Sequence, residues 1–325
     1  MTQDGETHDG RPRGMGGAGR CAGARSATAG GSDCHSLVWS PGGADHSLPG
    51  GALCEAGNRL PGDGTRHQMA VGGEERGGLG TKREVAKGLK AEAAIIGEST
   101  GLVPMIAHKG VLRLEVEVIG RAGHASEPEA GINAIVAMGP IIQALDGLAT
   151  AVRQRSEAYT GKASLVISTI SGGVALNVIP PSCVISIDRR VLPNETEADA
   201  NREIVEVVDR AVRATSGAQV TVRKVRFVPP AMTDAKAPIV SATERACSGT
   251  LGRPIRATGF SATCDLTYLV NNGGIPTVIL GPGDIEVAHQ ANEHISIEQM
   301  ALGVEVYLKT IEAWMKDESA KTGRP

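Results

Sequence analysis

Between Val111 and Ile119 the sequence VLRLEVEVI alternates apolar and polar residues. That alternation predicts a strand with one face buried and the other open. The period then changes. Over Gly131–Ala149 the apolar residues Ile135, Met138, Ile142 and Leu145 recur at helical spacing, with Pro140 as a kink. Ser164–Ile170, Cys183–Asp188 and Val220–Phe227 read as further strands. Ile204, Val205, Val208 and Val212 form the apolar stripe of a second helix, opened by Thr196 and Asp199 as a capping box. The resulting order, β-α-β-β-α-β, is the ferredoxin-like arrangement.

On either side the pattern is that of an α/β fold. Arg83–Leu89 reads as a short helix and Ala93–Ile96 as a buried strand. Glu98-Ser99-Thr100 follows at that strand's C-terminal end, a usual place for site residues in such folds. Downstream, Ala237–Ser248 and Asp265–Asn271 read as helices, and Pro276–Leu280 as a buried strand ended by Gly281-Pro282-Gly283. The last helix, Ser296–Met315, starts with a Ser296/Gln299 capping box. It is expected to bury Met300, Val304, Leu308, Ile311 and Met315.

Composition changes the picture at the N-terminal end. Residues 1–80 hold 21 of the 43 glycines, no Ile, Lys, Phe or Tyr, and only Val38 and Val71 among the valines. Residues 1–70 show neither period, and such a text has little apolar surface to offset the entropy of ordering. The segment is therefore expected to be of low order, with His8, His35, His46 and His67 as scattered surface residues. Either an out-of-frame translation or a divergent N-terminus would leave such a seam. The chain divides into an aberrant segment over 1–70, an α/β part over 71–109, the ferredoxin-like unit over 110–228 and a second α/β part over 229–325.

The formal net charge is −3, so no nucleic-acid partner is expected, because phosphate binding wants a basic face. No apolar run is read as a membrane span, and the N-terminus lacks the apolar core of a secretory leader. Six cysteines without a CxxC pair read as reduced thiols in a cytoplasmic protein.

Four patches carry candidate chemistry. Glu74-Glu75 sits in the glycine-rich text VGGEERGGLGT, where a carboxylate pair can divide metal binding from general-base work. Glu98 follows an apolar strand in IIGEST, and His289 lies beyond the GPG turn, placed for a metal. His124 in GRAGHASEP, Asn177 in GGVALNVIP and Arg190 in DRRVLP could clamp an oxyanion and a carboxylate. Taken singly, each has a plainer reading: a solvated acid pair, a turn carboxylate, a structural histidine, ordinary surface polar residues.

Their order and spacing carry more. The stretches GEERGGLGT, IIGEST, AHKGVLRLEVEVIGRAGHASEPEAGINAI, GGVALNVIP, IDRRVLP, TCDLTYLVNNGGIPTVILGPG and AHQANEHI together resemble the M20 metallopeptidases, the group of acetylornithine deacetylase and succinyl-diaminopimelate desuccinylase. The match runs from about Val71 to the C-terminus. The resemblance implies an α/β zinc-hydrolase-type catalytic domain interrupted by the ferredoxin-like lid, which also makes a homodimer. It implies zinc, with cobalt or manganese as alternatives, two per subunit, and a substrate that is an N-acyl amino acid or dipeptide. On the matching positions Glu74 resembles the general base, and Glu75 and His289 the ligands of one metal. Glu98 resembles a ligand of the other, His124 the oxyanion-stabilising lid histidine, and Asn177 and Arg190 the substrate contacts.

The chain also departs from the family. Residues 1–70 contain no H-x-D motif and no later bridging aspartate, and the family's usual DEE reads Gly73-Glu74-Glu75. Two functions therefore stand against each other: a metal-dependent amidohydrolase, and an inactive remnant that keeps only the lid as a dimerisation or binding module.

Overall fold

The computed structural model describes residues 35–41, 64–71, 74, 77–213 and 217–322. The chain forms β1 (His35–Pro41), β2 (Gly64–Ala70), α1 (Leu79–Ala86), β3 (Ala93–Gly97) and β4 (Met105–His108). It then enters the lid through β5 (Gly110–Ile119), α2 (Ala134–Val152), the short hairpin β6 (Ser156–Glu157) and β7 (Gly161–Lys162), and β8 (Ser164–Gly172). The lid is completed by β9 (Ser182–Val191), α3 (Glu197–Val212) and β10 (Gln219–Val228). The return to the first sheet brings β11 (Ala231–Met232), α4 (Pro238–Leu251), β12 (Thr258–Phe260), β13 (Thr277–Ile279) and α5 (Ile297–Thr322).

The lid is the predicted ferredoxin-like unit. Its sheet runs β10-β5-β9-β8, antiparallel throughout. Alternation in β5 sends Leu112, Leu114, Val116 and Val118 to the side of α2 and α3, where they meet Ile185, Ile187, Met138, Leu145, Ile204 and Val208. The other face of the sheet is open and carries Arg113, Glu115, Asp188 and Arg190. Both helices start on side-chain caps. Asn133 Oδ1 accepts from the amides of Ile135 and Val136, and Thr196 Oγ1 accepts from that of Asp199 at 3.1 Å. α2 runs through Pro140 as one helix, and its buried face is Ala134, Ala137, Met138, Ile141, Leu145, Ala149 and Val152. Ile135 is thus turned outward, 42 % exposed, against the expectation. By length and composition α2 is apolar enough to cross a membrane, which the reading of the sequence overlooked. Here its buried face packs on the lid sheet.

The first sheet is mixed, in the order β11-β4-β13-β3-β1-β2, with β12 parallel to β4 and β13 parallel to β3. Within 1–70, the stretches β1 and β2 pair with each other, and β1 pairs with β3. The other residues of that segment lie outside those described. Apolar clusters fill both sides of this sheet. One is built on Ile96, Leu266, Leu269 and Ile279, the other on Ile95, Ile106, Val278 and Leu280 with α4 and α5.

Two sequence expectations fail here for identifiable reasons. α1 starts at Leu79, ahead of the predicted Arg83, and buries Thr81 and Glu84. A polar buried face leaves no apolar stripe to read. In α5, Met300, Val304 and Leu308 are exposed, and Val306, Thr310 and Trp314 are buried. α5 carries two apolar stripes, and the one that includes Val306 and Trp314 is buried, with α5 packed against α4.

Candidate functional site

The turn that carries Glu74 is held by its backbone. The amides of Gly77 and Gly78 both donate to the Glu74 carbonyl, at 2.8 and 3.1 Å. Gly77 and Gly78 have φ of +104° and +68°, which glycine adopts without strain. At Gly78 a β-carbon would also collide with the side chains of Asp265 and Tyr268. Those two residues clamp the turn. The Thr81 hydroxyl donates to the Asp265 carboxylate, and the Tyr268 hydroxyl donates to the Gly77 carbonyl at 3.2 Å. Lys82 lies over the Tyr268 ring, 4.6 Å from its centre. Asp265 Oδ1 has no hydrogen-bond partner among the described residues. Burial raises the Asp265 pKa, against the lowering by the Thr81 hydroxyl and the Lys82 charge.

Glu98 sits just past β3, at the predicted strand end. Its turn is laced to Gly281-Pro282-Gly283. The Thr100 hydroxyl bonds both the carbonyl and the amide of Gly281, at 3.2 and 3.1 Å, and Gly101 donates to the Gly283 carbonyl at 2.7 Å. A β-carbon on Gly281 would collide with the Glu98 carbonyl, so glycine permits the approach. The charges of the two carboxylates both reach Cys264. Burial pushes its thiol up strongly, and the negative charges of Glu98, Asp265 and Glu74 add to that. Glu74 and Glu98, 24 positions apart in sequence, thus act on one buried thiol.

His289 lies in an exposed loop with φ of +62°, rare for a non-glycine residue, and its amide donates to Glu293 at 3.1 Å. Glu75 lies outside the described residues. A catalytic zinc takes three protein ligands. Among the described residues no three His, Cys, Asp or Glu side chains converge to hold a metal. The described donor set therefore does not fit the implied metal.

The lid residues fall into two groups. His124 and Asn177 are brought together: His124 bridges to Val178, and the amide of Ala125 donates to the Asn177 carbonyl at 3.0 Å. His124 Nδ1 is 2.6 Å from the Ser126 hydroxyl. Arg190 is not with them. It stands opposite Val111, and the His124 loop leaves the far end of β5, where Ile119 opposes Ser182. Eight residue steps of strand separate the two rows, roughly 26 Å. One chain cannot bring His124 and Arg190 onto a single small substrate.

Arg190 instead belongs to a basic corner. Its Nε bonds Asp188 Oδ1 at 2.7 Å, and Arg113 Nε bonds Asp188 Oδ2 at 3.1 Å. Arg226 stands opposite Arg113 in the sheet. A β-carbon on Gly77 would lie 3.4 Å from the Arg226 guanidinium, so the corner meets the Glu74 turn. Sequence reading missed this corner and the Asp265 clamp. The first shows only once strands are paired, and the second joins residues 184 apart.

Below the site, at the crossing from β4 into the lid, His108 is fully buried. Its Nδ1 is 2.9 Å from the Lys109 carbonyl. Burial lowers its pKa to about 4, although the carbonyls of Lys109 and Cys264 favour the protonated ring.

Comparison with known proteins agrees with this architecture. Residues 106–216 match the family described as peptidase dimerisation domain. An acetylornithine deacetylase of Myxococcus xanthus is 33 % identical over 232 residues, 70 % of this chain and 59 % of that protein. The chain thus spans about three fifths of that relative's length. A tripeptidase from Staphylococcus aureus superposes with a TM-score of 0.64 at 22 % identity, covering 77 % of this chain and 65 % of the other. An M20 family metallo-carboxypeptidase from Sulfolobus solfataricus gives 0.59 at 16 % identity, covering 77 % and 70 %.

Proposed function

Because the chain from about residue 70 to its C-terminus belongs to the M20 peptidases, we propose that it is an M20-type metal-dependent amidohydrolase. Its substrate is an N-acyl amino acid, which it deacylates, or a small peptide, and it works as a homodimer. The observation that carries the reading is the Glu74 turn. The backbone of Glu74 is fixed by the Gly77 and Gly78 amides, the turn is clamped by Asp265 and Tyr268, and the charges of Glu74 and Glu98 both bear on Cys264. The Glu74 carboxylate can take the proton of an attacking water. Arg190 supplies a planar, permanently charged donor for the substrate carboxylate. The family resemblance implies two zinc ions, one held by Glu75 and His289 and the other by Glu98. No step is assigned to it, because the described residues do not complete its donor set.

The separation of His124 from Arg190 supports the dimer. β8 is one of the two edge strands of the lid and exposes Val166 and Ile170, while α2 beside it exposes Ile135 and Val136. An unpaired apolar edge favours a second copy. The neighbouring loop, with Val174 and Leu176 exposed, carries Asn177 beside His124. Across a two-fold axis this loop can reach the partner's cleft and deliver His124 to a developing oxyanion there.

A second reading rests on one specific observation: the lid is complete, while no metal-holding triad exists among the described residues. In that reading the chain is an inactive remnant whose lid dimerises or binds ligand. Mixing two inactive variants separates them. His124→Ala and Glu74→Gln, co-refolded in equal amounts, should recover roughly a quarter of the zinc-supplemented activity toward N-acetyl amino acids. Wild-type protein that is folded and dimeric but inactive would favour the remnant.

A further inference from the structure

The corner of the lid around Asp188 holds more positive charge than one substrate carboxylate needs. Lys109, Arg113, Arg190 and Arg226 share a single acid, Asp188, which Arg113 and Arg190 both engage. Arg226 and Lys109 have no ion-pair partner among the described residues. The next acid along β5, Glu115, is taken by Arg223. Strand register fixes the geometry: Arg226, Arg113 and Asp188 lie in one row across three strands, and Arg190 is two residues further along β9 on the same face. Lys109 is close enough to Arg190 for that charge to add to burial in lowering its pKa. Arg226 closes the row against the Glu74 turn. Four cations against one acid thus mark this corner, and its Arg226 end meets the Glu74 turn.

We propose that this corner selects substrates with a second carboxylate: N-acyl derivatives of acidic amino acids, whose side-chain carboxylate is held by Arg226 and Arg113, with Lys109 adding charge beside Arg190. The proposal rests on the cleft being an N-acyl amino-acid site with Arg190 at the α-carboxylate. Arginine forks suit a carboxylate bidentately, and an unpaired guanidinium needs no prior partner to be displaced. A cationic side chain, such as that of an N-acyl ornithine, meets like charge at the same place and is disfavoured.

The test is calorimetric binding of N-acetyl-L-glutamate, its neutral isostere N-acetyl-L-glutamine and N-acetyl-L-ornithine to the full chain. Glutamate should bind about tenfold or more tighter than glutamine, the weight of one charge-assisted hydrogen bond, and ornithine weakest. Arg226→Gln should bring the glutamate-to-glutamine ratio close to one with an unchanged thermal melt, and Arg113→Gln should reduce it. Arg190→Gln should weaken glutamate and glutamine alike. Equal wild-type affinities for glutamate and glutamine, with Arg190→Gln still weakening both, would overturn the selectivity and leave the cleft reading standing. Tighter binding of ornithine would do the same. No binding of any of the three would overturn both.

Discussion

The lid and the sheet it interrupts are built on different terms. The lid has one continuous core, in which α2 and α3 close over alternating residues of four strands, and its helices begin on side-chain caps. Even its buried charge is answered: Arg189, 1 % exposed, pairs with Glu195, which also bonds Arg155 and the Leu192 amide. The surrounding sheet has two separate clusters and an α5 whose Ile297, Met300, Val304 and Leu308 remain exposed. The contrast teaches where function sits. The closed unit supplies rigidity and an exposed edge strand, and the candidate chemistry lies at its rim and on the glycine turns of the open one.

The comparison can be broken most forcefully inside the lid. Glu195→Ala leaves the Arg189 guanidinium buried without its carboxylate and should cost about 3–5 kcal/mol in denaturant unfolding. A loss under about 1 kcal/mol would show that the network is not what closes the lid. Packing gives the next contrast. Leu145→Ala, at a fully buried position, should cost about 2–5 kcal/mol, whereas Leu308→Gln, on the exposed stripe of α5, should stay within about 0.5 kcal/mol. Similar losses at both sites would erase the distinction between closed and open units.

The junction between the units should respond to pH. His108 has its pKa lowered from 6.5 to about 4, so the folded state prefers the neutral ring. Its contribution is intact above pH 6.5 and is lost as pH falls toward 4, by about 3 kcal/mol in all. His108→Asn should flatten that limb of the stability profile, and an unchanged slope would remove His108 as its cause. The turn at Glu74 gives a smaller effect. Gly78→Ala forces a β-carbon into φ of +68° and against Asp265 and Tyr268, and should cost about 1–3 kcal/mol and weaken ligand binding. Asp265→Asn should move binding with little effect on stability if the clamp orients the turn.

Much of the lid was legible because its signals are local. Alternation marked β5, and Thr196/Asp199 marked the start of α3 within one turn. Ser296 likewise caps α5, its hydroxyl 3.0 Å from the Gln299 amide. Gln299, read as the other half of that box, instead accepts from Gly283 at 2.7 Å and ties the helix to the GPG turn. What the residues alone left unread was non-local. α5 offers two stripes, and only the presence of α4 decides between them. α1 hides its buried face behind Thr81 and Glu84. Glu98 could be placed at a strand end from its neighbours. That Asp265 reaches Thr81, that Arg226 faces Arg113, and that His124 and Arg190 lie at opposite ends of one strand pair all depend on pairings far apart in sequence.

The measurement that bears most directly on the account is metal-dependent turnover by the purified chain. Protein equilibrated with zinc and freed of excess would be assayed for bound metal and for hydrolysis of N-acetyl amino acids, beside Glu74→Gln. The account predicts zinc-dependent hydrolysis that falls by at least about a hundredfold in Glu74→Gln, with metal content unchanged. A folded, dimeric chain that retains no zinc and hydrolyses nothing would contradict it and leave the lid as a binding module.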